Sequence, residues 1–76
     1  MEFIKADKTD PNVWTCLCGN NGDDCGFFPC DEGGNEIEPT IESGWADLYI
    51  CGKCGRIIKQ GTLEVVGRNP HPTLLA

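Results

Sequence analysis

The chain has 76 residues, six of them cysteine, and its twelve acids against six bases leave a net charge of −6. One domain is all this length allows, and such a domain buries only about 60% of the surface its unfolded form exposes. Burial alone leaves it marginal, so a disulfide, a metal or a partner chain is expected to supplement the core. The counts exclude a multidomain enzyme, a TIM barrel and a complete Rossmann domain, and no apolar run nears the roughly 20 residues of a membrane span.

In chain order, residues 1–12 mix charges with one proline and show no period, which predicts a flexible N-terminal arm. Met1 to Asp7 has no basic n-region, and Lys5 and Asp7 break its apolar stretch, so it does not read as a signal peptide. The expected compartment is therefore the reducing cytoplasm, where clustered cysteines are metal ligands more often than disulfides. Residues 13–17 predict a short strand, and residues 20–26 a loop rich in Asn, Asp and Gly. Residues 27–30 and 35–38 predict a hairpin across Asp31, Glu32, Gly33 and Gly34, with residues 39–44 as a further connection. The strand signal is strongest at 47–51, with Leu48 and Ile50 on one face and Tyr49 on the other. Residues 57–58 and 62–66 predict a second hairpin around Lys59, Gln60 and Gly61. A proline-punctuated tail closes the chain at 69–76, which leaves 13–68 as the folded domain. Ten glycines, five prolines and the lack of a 3.6-residue period predict little or no helix. The expected core is Trp14, Phe27, Phe28, Trp45, Tyr49, Ile50, Ile57, Leu63 and Val65.

The cysteines carry the chemistry. Cys51-Gly52-Lys53-Cys54-Gly55 is a C-x-x-C-G turn after an apolar run. Two intervening residues let both sulfurs converge on one ion, and the glycines free the backbone to wrap round it. Cys16-Leu17-Cys18-Gly19 is one residue tighter; residues at i and i+2 of a strand share a face, so Cys16 and Cys18 reach one ion if the chain turns at Gly19. Two short knuckles, each followed by glycine and separated by strand-like sequence, resemble a zinc ribbon over residues 14–67. The tracts Gly26 to Asp31, Glu38-Pro39-Thr40 and Tyr49-Ile50-Cys51 also resemble small uncharacterised zinc-ribbon proteins of bacteriophages and actinobacteria. The resemblance implies a small metal-stabilised β fold with short antiparallel hairpins. It brings no known activity with it.

The reading is thus a tetrathiolate site of Cys16, Cys18, Cys51 and Cys54 holding one structural zinc. Tetrahedral sulfur suits zinc best, with iron in a rubredoxin-like site as its competitor. Two alternatives stand beside it: a site in which Cys25, Cys30 or His71 replaces one ligand, and a disulfide scaffold with 15 pairings. Cys25 and Cys30 are otherwise a free thiol each or a disulfide with one another.

Charge narrows the function. Nine of the twelve acids lie between Thr9 and Gly52, a stretch with no lysine or arginine. A domain of this sign repels a phosphate backbone, so nucleic-acid binding is disfavoured. Lys53, Arg56 and Lys59 on and after the second knuckle are the local exception: they offset thiolate charge or contact a phosphate or an acidic partner. No deaminase, thioredoxin-like or phosphate-loop pattern is complete. The expected function is a non-enzymatic protein-interaction module, a monomer or homodimer, using an acidic, aromatic-edged surface. Three alternatives are a nucleic-acid-binding ribbon using the three bases, an acidic nucleic-acid mimic and a redox protein.

Overall fold

Six short strands and no helix make up residues 2–9, 13–21 and 26–72, the residues described in a computed structural model of the chain. β1 (Lys5–Ala6) pairs antiparallel with β2 (Trp14–Thr15). β3 (Phe27–Cys30), β4 (Leu48–Cys51), β5 (Arg56–Lys59) and β6 (Glu64–Arg68) form a four-stranded antiparallel sheet in chain order. No helix among the described residues is long and apolar enough to cross a membrane.

The register explains which side chains are buried. Phe27 lies opposite Cys51, Phe28 opposite Ile50, Tyr49 opposite Ile58 and Ile50 opposite Ile57. Side chains alternate along a strand, so Phe27, Tyr49, Cys51 and Ile58 share one face, and Phe28, Cys30, Leu48, Ile50 and Ile57 share the other. Both faces are covered, which is why adjacent Ile57 and Ile58 are both buried. On the first face Ile58 and Cys51 pack with Ile4 and Cys16, which flank the strands of the small sheet, helped by Trp14, Leu63 and Val65. On the second, Cys30, Leu48, Ile50 and Ile57 pack together with Phe28.

Four expectations change. Residues 2–9, expected as a loose arm, are built into the fold: Ile4 is only 4% exposed, and its N–H donates to the Leu63 carbonyl at 2.9 Å. The Val65 N–H donates to Glu2 O at 2.8 Å, so this segment lines the outer edge of β6. Two apolar residues, Phe3 and Ile4, between Glu2 and Lys5 are too few to show a period, which is why the pairing was not visible in the sequence. The hairpin expected after Cys30 narrows to a turn with a single bridge between Cys30 and Glu36; with Ile37 N–H donating to Pro29 O at 3.1 Å, it covers the edge of β3. The last strand runs Glu64–Arg68 rather than 62–66, because Leu63 takes a positive φ of 63° and remains in the turn. Of the nine expected core residues only Ile50 and Ile57 are buried and the other seven are half-buried, whereas Ile4, Leu48 and Ile58 are core residues not foreseen. Residues 10–12 of the expected arm and 73–76 of the expected tail lie outside the described residues.

Candidate metal centre

The first knuckle hangs from β2 and the second joins β4 to β5, so packing the small sheet on the large one brings the two together. Within the first, Cys16 N–H donates to Asn20 O at 2.7 Å and Gly19 N–H to Cys16 O at 2.9 Å. Gly19 has φ of 94°, a left-handed conformation that costs glycine little. In the second, Gly55 N–H donates to Cys51 O at 3.1 Å. Gly55 also has a positive φ, of 82°, and a Cβ there would overlap the carbonyl oxygen of Asn69. Glycine is therefore required at Gly55 twice over, by conformation and by close approach.

The sulfurs of Cys16, Cys18, Cys51 and Cys54 all lie within 4.8 Å of one another. Cys16 Sγ is 3.5 Å from Cys54 Sγ, and Cys18 Sγ is 3.7 Å from Cys51 Sγ. A disulfide needs about 2.05 Å, so these are separate thiols. A zinc ion holding four sulfurs at about 2.3 Å sets a tetrahedron edge of about 3.8 Å. These two distances are near that edge, and each pair takes one sulfur from each knuckle. Four sulfurs in this arrangement fit a tetrahedral metal.

Donors converge on the sulfurs. The Asn20 side-chain amide donates to Cys51 Sγ at 3.2 Å and to Gly26 O at 2.9 Å. Lys53 N–H approaches Cys51 Sγ at 3.5 Å, and Arg56 Nη1 donates to Cys54 Sγ at 3.1 Å. Burial resists ionisation of Cys51, but the N–H groups of Cys54 and Lys53 and the Asn20 amide outweigh it and bring the thiol down to about 6. Burial pushes Cys16 up to about 12, against the N–H of Cys18 and with the neighbouring sulfurs, and it raises Cys18 as well. Cys51 therefore ionises more readily than Cys16 or Cys18. A divalent cation bound there would favour the thiolate form of its ligands. The bond to Cys54 raises Arg56 further still.

The remaining candidates fall elsewhere. Cys30 is a free thiol with no exposure, placed in the core of the second face; burial and nearby Asp31 push it up to about 12. His71 is exposed, and the group of four contains neither it nor Cys30. Cys25 lies outside the described residues. Of the basic trio, Lys53 and Lys59 are exposed, while Arg56 is engaged with Cys54. Asn20 was read only as part of a polar loop, yet it is fully buried and ties one knuckle to the other. Its one sequence signal was its place directly after the knuckle glycine. No protein family, curated protein or solved structure matches this chain.

Proposed function

We propose that this chain is a structural-zinc protein of the zinc-ribbon kind that acts without catalysis, by presenting an acidic, aromatic-edged face to a protein partner. The observation that carries the metal half is the convergence of four sulfurs from two knuckles at tetrahedral spacing. Zinc held by Cys16, Cys18, Cys51 and Cys54 would cross-link the two sheets. Four protein ligands close the coordination sphere, the pattern of a structural site rather than a catalytic one.

A row of rings supports the interaction half. Trp14 meets Phe27 edge-on at 5.5 Å and Tyr49 at 5.2 Å, and Tyr49 meets Trp45 at 5.4 Å. All four rings are half-buried, and the indole N–H of Trp45 donates to Leu48 O at 2.8 Å. Glu38, Glu42 and Asp47 beside Trp45 in the chain are exposed. Rings held in place before binding lose little ordering entropy on contact, and the carboxylates favour a partner with a basic surface.

A photoreactive residue at exposed Ala46, compared with one at exposed Lys8, tests the reading in the cells that make the protein. The expected result is a discrete crosslinked protein from position 46 that disappears with Trp45→Ala. Equal capture from both positions, unaffected by that substitution, would overturn the interaction half and leave the metal half standing.

A further inference from the structure

We propose that Arg56 and Arg68 form a binding site for a single phosphate-class oxyanion beside the second knuckle. The two arginines lie directly opposite one another across β5 and β6. Like charges in that position repel, so the pairing costs stability unless negative charge lies near both. Cys54 holds both side chains: Arg56 Nη1 donates to its sulfur at 3.1 Å and Arg68 Nε to its carbonyl at 3.0 Å. Arg56 meets a sulfur of the candidate metal site. Arg68 meets only a neutral carbonyl, and among the described residues neither guanidinium is paired with a carboxylate.

Each guanidinium has five N–H donors in a fixed fork, and these contacts use one from each. Beside them runs a groove of about 440 Å³ lined by Glu2, Arg56, Val65, Val66, Gly67 and Arg68. Two forks anchored on one residue at a groove wall suit a group with three or more oxygens and two negative charges. A lone carboxylate fills a single fork. The size of the ligand follows from what surrounds the pair. Glu2 stands in the same groove, Lys53 and Lys59 do not line it, and the chain carries −6. No lysine lines the groove, so a polyanion is repelled where one phosphate group is accepted. The site lies apart from the acidic stretch and does not depend on the partner proposed for it.

The test is a titration of the zinc-loaded chain with inorganic phosphate at constant ionic strength, followed by the arginine Nε–H and backbone amide resonances. Saturable shifts at Arg56, Arg68 and Cys54 are expected, with acetate at equal ionic strength giving none that saturate. Arg68→Gln should weaken phosphate binding about tenfold or more. An unchanged zinc content in that variant separates the loss from unfolding. Shifts that never saturate, or saturation that survives Arg68→Gln, would overturn the site. A short single-stranded oligonucleotide that binds more tightly than phosphate, with steep salt dependence, would contradict the single-oxyanion assignment.

Discussion

Asn20 carries no charge and is not itself in the group of four ligands, yet its amide donates to a sulfur of the opposite knuckle from a fully buried position. Donors of this kind orient metal ligands, and removing one costs about 10–100-fold in metal affinity. Asn20→Ala should therefore lower zinc affinity by about that factor in a competition with a chromophoric chelator. Cys30 provides the contrast: it is as buried as Asn20 but lies across the sheet from the sulfur cluster. Cys30→Ala should keep one zinc per chain, whereas Cys54→Ser should not; metal analysis of the two purified variants decides. Protonation acts on the same ligands. The folded chain holds Cys51 at about 6, below its ordinary 9.0, so its contribution is fully present above 9 and is lost as the pH falls through about 6. Since zinc competes with protons for the sulfurs, its release should increase as the pH falls, as followed by a zinc-sensitive dye.

At the scale of elements, β4 and β5 were legible because dense β-branched and aromatic residues sit between glycine turns. Their knuckle was legible from spacing alone. β1 was not: it is two residues long, and only its pairing with Trp14–Thr15 makes it a strand. The β3–β4 pairing across residues 31–47 was equally invisible, since no local signal reports a partner so distant in the chain. Nor did spacing reveal that Asn69 packs on Gly55. Its N–H donates to Gly55 O at 2.8 Å, and its amide reaches Gly33 O at 2.9 Å. Two element-scale outcomes follow. Ile4→Ala, which removes the plug from the first-face core, should cost about 2–5 kcal/mol in urea unfolding of the zinc-loaded chain. Gly55→Ala should displace residue 69 and distort the knuckle, visible as a broadened set of amide resonances at both places.

For the whole molecule, the six cysteines divide by environment rather than by count. Four gather where the two sheets meet, one is a plain core residue, and Cys25 stands outside the described residues. The net charge of −6 is likewise uneven: the carboxylates concentrate between Thr9 and Gly52, and Arg56 and Arg68 turn to the second knuckle. Among the described residues there is little core beyond Ile4, Ile50, Ile57, Ile58 and their neighbours, and a cross-link through the four sulfurs would supplement that burial. The central claim is that one zinc ion on Cys16, Cys18, Cys51 and Cys54 supplies that cross-link. X-ray absorption at the zinc edge of the purified chain tests it most directly. Four sulfur neighbours at about 2.3 Å and no nitrogen or oxygen in the coordination sphere is the predicted result. Fewer than four sulfurs, a nitrogen or oxygen ligand, or no stoichiometric zinc in a folded chain would contradict it.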